Sequence, residues 1–125
     1  MTANILQHVD NPPDPHGVPS RALPTWRHVA PQVCRWSNVT ELDLSGLEVL
    51  VMTVHHLDTI ATQAEQAEGQ APQTFVRLRD EFRAMLGEWC QSFLLGPETL
   101  EEITAPSGRT LAELLGRGGA TCKAI

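Results

Sequence analysis

Basic side chains are scarce in this chain, and those that could do chemistry are gathered together. Nine Lys plus Arg stand against 15 Asp plus Glu, a formal charge of −6 at pH 7. Yet Arg21, Arg27, His28 and Arg35 all fall in one short segment. Guanidinium groups present forked N–H donors that suit phosphate oxygens, so Arg21, Arg27 and Arg35 are the candidate phosphate contacts. The acidic balance argues against a generalised attraction to nucleic acid or to an anionic membrane, and any polyanion partner needs a local basic patch. A second group, Arg77, Arg79 and Arg83, is interleaved with Asp80 and Glu81 and reads as a solvated helix face carrying ion pairs.

Other chemistries find no residue set. His55 and His56 are adjacent, and consecutive helix residues point about 100° apart, so the pair does not close on one ion as a pair four residues apart would. Cys34, Cys90 and Cys122 are odd in number, widely spaced and lack a Cys-x-x-Cys pair, a pattern that predicts free thiols in a reducing compartment. Gly116, Gly118 and Gly119 lack the preceding strand and the Gly-Lys-Ser/Thr ending of a phosphate-cradling loop. Acidic residues are scattered without a pairing that would raise a pKa or hold two metals. The expectation is a protein that is not an enzyme and takes no cofactor or metal.

The elements that must position these residues are helical. Residues 1–19 carry Pro12, Pro13, Pro15 and Pro19 among polar residues, a composition that predicts a disordered, mobile arm. From Ser20 a short amphipathic helix is expected on Ala22, Leu23, Trp26, Val29, Ala30 and Val33, with Pro24 in its first turn and Pro31 kinking or ending it. Trp26 reads as a core anchor. Thr40 with Asp43 resembles a capping box opening a long helix to about Glu68, where Gly69 and Pro72 make a turn. A return helix runs from about Pro72 to Leu95 and closes at Gly96.

Both long helices carry apolar residues at spacings of three and four: Leu47, Leu50, Val54, Leu57, Ala61 and Ala64 on the first, and Phe75, Leu78, Phe82, Met85 and Trp89 on the second. The result is an antiparallel helical hairpin. Its seams, Leu47, Leu50, Val54, Leu57, Phe75, Leu78, Phe82, Met85 and Trp89, are the expected oligomerisation surface. Pro97 with Glu98, Glu101 and Glu102 opens a short helix ending before Pro106. Thr110 with Glu113 caps a last one through Leu111, Leu114 and Leu115, closed by Gly116. The fold class is all-α, with residues 20–104 as the hairpin domain and 105–125 as a short helix and loose tail. No apolar run reaches the roughly 18 residues needed to span a bilayer, and no targeting block is present, so a soluble intracellular protein is expected.

The order of these features resembles a family of tailed-phage terminase small subunits. The resemblance rests on Trp26 and Pro31 in a short helix, Val39-Thr40 with Asp43, the hairpin, Leu78 to Phe93, and the Gly96-Pro97 break, and covers about Ala22 to Ile103. Two departures stand out. The family's Phe-Gly-Leu-Thr-Pro-like turn here reads Phe93-Leu94-Leu95-Gly96-Pro97, with the glycine displaced, and the Arg that commonly follows the Pro is replaced by the acidic run Glu98 to Glu102. The resemblance implies a homo-oligomeric ring that binds double-stranded phage DNA in the bacterial host cytoplasm. It also implies a hand-over of that DNA to a terminase large subunit owning the ATPase and nuclease. In a ring, one modest patch per subunit becomes a basic collar on an acidic protein. The alternative is a terminase-like helical protein-protein adaptor without DNA binding, of the kind a gene transfer agent, prophage or satellite element would carry.

Overall fold

The computed structural model describes residues 7–67 and 72–117. Among them the chain is helical, with one isolated bridge between Thr104 and Thr110. A 3-10 turn at Ser20–Ala22 leads into α1 (Leu23–Trp36), and a second at Glu41–Asp43 leads into α2 (Leu44–Gln66). Then follow α3 (Gln73–Ser92) and the single-turn helices α4 (Pro97–Leu100) and α5 (Leu111–Leu114). None of the described helices is long and apolar enough to cross a membrane.

The long helix α2 is the axis of the core, because α3, α1 and α5 all pack on it. It buries Leu47, Leu50, Val51, Val54 and Leu57, the three-and-four stripe that a helix needs to face its neighbours. α1 contributes Thr25, Trp26, Val29, Ala30, Val33 and Cys34. Trp26 is 1% exposed and is the largest of the fully buried side chains. Its indole N–H has no hydrogen-bond partner among the described residues, a cost of about 1–3 kcal/mol that burial of the ring has to offset. α3 buries only Leu86 and Cys90, while Phe82 and Trp89 pack partly buried against the core. The segment after α3 compensates, with Phe93, Leu95, Leu100, Ile103, Ala105, Leu111 and Leu114 all buried. The short C-terminal helices are thus part of the core.

Both capping boxes form. Asp43 accepts the Thr40 N–H at 2.9 Å and its hydroxyl at 3.1 Å. Glu113 accepts the Thr110 N–H at 2.9 Å, and the Thr110 hydroxyl accepts the Glu113 N–H at 3.0 Å. Two boundaries differ from the sequence expectation. α1 passes through Pro31 to Trp36: proline removes one N–H, but the carbonyl it leaves free belongs to Arg27, an exposed residue that water can reach. The buried stripe from Trp26 to Cys34 holds the helix on both sides of the break. α3 stops at Ser92, short of Leu95, because the chain turns through Leu94 at φ 59°. Leu94 N–H donates to Gln91 O and Leu95 N–H to Cys90 O, both at 2.9 Å. These are the two bonds of a Schellman motif, with leucine where glycine is usual.

The described part of the proline-rich arm is in contact with the body. Val9 N–H donates to Val39 O at 2.7 Å, Pro12 and Val18 are buried, and Asp14 pairs with Arg27. Proline-rich composition lowers the entropy lost on laying an extended segment against a preformed surface. The turn at Gly69 and the tail Gly118 to Ile125, Cys122 included, lie outside the described residues.

Candidate functional site

α1 turns its apolar stripe inward, so its outer face is fixed by elimination. Arg27, His28 and Arg35 are exposed there, and Arg21 is exposed on the 3-10 turn that leads into the helix. From Ser20 to Trp36 the sequence has no acidic residue of its own, and the carboxylate that pairs on this face, Asp14, comes from the arm. The predicted set divides on inspection. Arg27 is held by the arm, its Nη2 donating to Asp14 Oδ2 at 2.6 Å and its Nε to Oδ1 at 3.2 Å. The hydrogen bond and charge of Arg27 hold the Asp14 carboxyl below its usual range, and Asp14 raises Arg27 in turn. Arg21 and Arg35 have no carboxylate within 4.0 Å among the described residues. His28 and Gln32 on the same helix engage the Thr104 segment. His28 Nε2 lies 3.0 Å from the Thr104 hydroxyl, and the Gln32 amide donates to Thr104 O at 2.8 Å and accepts its N–H at 3.1 Å. These bonds fix the orientation of α1.

The predicted oligomerisation residues also divide. Leu47, Leu50, Val54 and Leu57 are buried in the chain's own core, at most 2% exposed, so they have no area left for a neighbour. α1, α3 and α5 pack on that stripe. Phe82 and Trp89 are partly buried, and Phe75 is half-buried. Leu78 at 43% and Met85 at 39% remain exposed on α3.

A third cluster was only partly visible in the sequence. Arg79, Arg83 and Arg109 line one cleft of about 520 Å³ with Leu57, Ile60, Ala61, Ala64 and Leu114. Arg109 bonds Asp58 Oδ1 at 2.7 Å, the Thr62 hydroxyl at 3.0 Å and Glu65 at 2.8 Å. Burial pulls its pKa down, but the bonds to Glu65 and Asp58 outweigh this and leave it above its ordinary value. The signal for this site was the stripe Asp58, Thr62, Glu65 on one face of α2, which calls for a cation. Its partner is some fifty positions away, and no local spacing identifies it. Arg83 donates its Nε–H to Leu114 O at 2.9 Å, capping the end of α5.

The histidines and thiols take structural places. His55 Nδ1 shares a hydrogen bond of 3.1 Å with the Thr25 hydroxyl, and His56 stacks on Phe82 with centroids 4.9 Å apart. Cys34 and Cys90 are buried free thiols, pushed up by burial to about 11 and about 12. Both are protonated near neutrality and poor nucleophiles. Among the described residues no three His, Cys, Asp or Glu gather as a metal site. Comparisons with family models, with curated proteins and with solved structures find no match.

Proposed function

We propose that this chain is a non-enzymatic DNA-packaging adaptor of the terminase small-subunit kind, which lays the outer face of α1 on the phosphate backbone of double-stranded DNA. The observation that carries the reading is the cluster of exposed Arg21, Arg27, His28 and Arg35 in a segment with no acidic residue of its own, in a protein of charge −6. Arg21 and Arg35 supply the free contacts, and Arg27 joins them when Asp14 releases it. Such contacts fix position and carry little base information, and they weaken steeply with salt. The order of elements that carries the family resemblance, from the Trp26 helix to the turn at Leu94, supports the same role, with a large ATPase and nuclease subunit as partner in a bacterial host cytoplasm. Assembly into a ring falls to the exposed α3 residues Leu78 and Met85, with Phe75 beside them, because the α2 seam is already occupied.

The test is native mass with and without double-stranded DNA at low salt, on the parent and on a double variant, Arg21→Glu with Arg35→Glu. The expected outcome is a closed oligomer that shifts with DNA, and a variant of the same oligomeric mass that does not. Normal DNA binding by that variant would remove the assigned face. A second reading, a protein-protein adaptor without DNA binding, draws on the Asp14–Arg27 pair, which occupies one of the three candidate arginines. Its sign is a stable oligomer with no shift at any salt.

A further inference from the structure

The cleft between α2, α3 and α5 sits on a different element from the α1 face, and among the described residues one of its guanidinium groups, that of Arg83, meets no carboxylate. Arg79 and Arg83 are one turn apart on α3 and line the same cleft. Like charges at that spacing repel each other on a helix. Arg83 is half-buried; burial depresses its pKa, and the charge of Arg79 adds to this. Its Nε–H is used by Leu114 O, but its two terminal nitrogens have no carboxylate within 4.0 Å among the described residues. Arg79 reaches only its neighbour Asp80, at 3.4 Å. Gly116, at φ 81°, lies so close that a Cβ there would meet the Arg83 guanidinium at 3.0 Å. The backbone thus holds Arg83 in place, and among the described residues no carboxylate takes up its terminal nitrogens.

The other charged groups of the cleft are spoken for. Arg109 is bound by Asp58 and Glu65, and Glu113 by the N–H and hydroxyl of Thr110. Those carboxylates at the rim disfavour a multiply charged anion such as a polyphosphate. The floor of Ile60, Ala61 and Ala64 is apolar but short, suited to one or two aliphatic side chains rather than to a long acyl tail. A planar carboxylate matches the edge of a guanidinium fork.

We propose that this cleft binds an acidic, aliphatic peptide segment of a partner protein, with a Glu or Asp carboxylate on Arg83 and Arg79 and a flanking Leu or Ile on the floor. The probe is the blocked tripeptide acetyl-Leu-Glu-Leu-amide, titrated into the isotopically labelled full chain and followed by amide and arginine side-chain NMR. Acetyl-Leu-Gln-Leu-amide, hexanoate and inorganic phosphate serve as comparisons. Shifts should concentrate at Arg79, Arg83, Leu114 and Gly116, and the Gln peptide should bind about tenfold more weakly, as loss of one charge-assisted hydrogen bond implies. Arg83→Gln also removes the cap on α5, so Arg79→Gln, whose side chain supports no other element, is the deciding variant. It should weaken binding by about fivefold with the fold unchanged. Equal binding of the Glu and Gln peptides, no shift in the cleft at roughly 10 mM peptide, or an unaffected Arg79→Gln variant would overturn the proposal. Tighter binding of phosphate or of hexanoate than of the peptide would overturn it too, in favour of a small-anion or a fatty-acid site.

Discussion

At the scale of single residues, two side chains sit in positions that work against their own chemistry. Leu94 occupies the left-handed region at φ 59° and is 87% exposed, so no packing compensates the clash of its Cβ with the backbone. That conformation costs a residue with a Cβ about 1–2 kcal/mol, and glycine adopts it freely. Leu94→Gly should therefore raise stability by about 1 kcal/mol, read as a higher urea midpoint at unchanged slope; an unchanged or lower midpoint would mean that the leucine is held there by something worth more than its strain. His55 works the other way. Burial, with the charges of His56 and Arg21, lowers its pKa in the folded chain, and Asp58 only partly opposes this. Between the lowered value and the ordinary one near 6.5, the unfolded chain binds a proton that the folded chain refuses. The stabilising contribution is whole above the unfolded value and is lost as the pH falls from there to the lowered folded value. Urea midpoints should drop from pH 7.5 to 5.5, and His55→Gln should flatten that slope. An identical slope in the variant would assign the acid sensitivity to other groups.

At the scale of elements, the hairpin depends on a glycine that looks dispensable. A Cβ on Gly46 would stand 2.6 Å from the Trp89 ring, whereas one on Gly87 would meet nothing within 4 Å. The same substitution should thus have opposite signs at the two sites. Gly87→Ala gains helix propensity and should stabilise by about 0.5–1 kcal/mol. Gly46→Ala gains the same propensity but forces α2 and α3 apart, for a net loss of about 1–2 kcal/mol. Thermal melts of the two variants check the pair, and matching shifts would mean that Trp89 swings aside at no cost. The contrast also marks what the sequence could tell. The helix starts at Thr40 and Thr110 were legible because a capping box is local, and the stripes on α1 and α2 were legible because their period is. Tertiary facts were not. That the seam of Leu47, Leu50, Val54 and Leu57 is covered by α1 and the C-terminal segment, that Pro31 is tolerated, and that Arg109 crosses to Asp58 all depend on residues far apart in the chain. The candidate face was half legible: α1 and its arginines could be found, but nothing local said that Asp14 would take Arg27.

At the scale of the whole molecule, the question is how a chain of charge −6 would approach a polyanion, and the arm governs the answer. Asp14 pairs with Arg27 on the α1 face, while Asp10, four residues earlier, lies instead 3.1 Å from His8. The two carboxylates contribute the same formal charge to the molecule but only one occupies a candidate contact. Removing either reduces the long-range repulsion of DNA alike. Removing Asp14 alone frees a guanidinium for a phosphate, and each added phosphate contact steepens the dependence of log K on log salt by about 0.9. If the α1 face binds DNA, Asp14→Asn should tighten binding about threefold at low salt and steepen the salt slope by about 1, whereas Asp10→Asn should give a smaller gain at an unchanged slope. Fluorescence anisotropy with a labelled duplex at several salt concentrations distinguishes the two. Equal slopes for both variants would show that net charge alone sets the affinity and would detach Arg27 from the contact. A slope that steepens only for Asp14→Asn would make the proline-rich arm a competitor for the same arginine that the DNA uses.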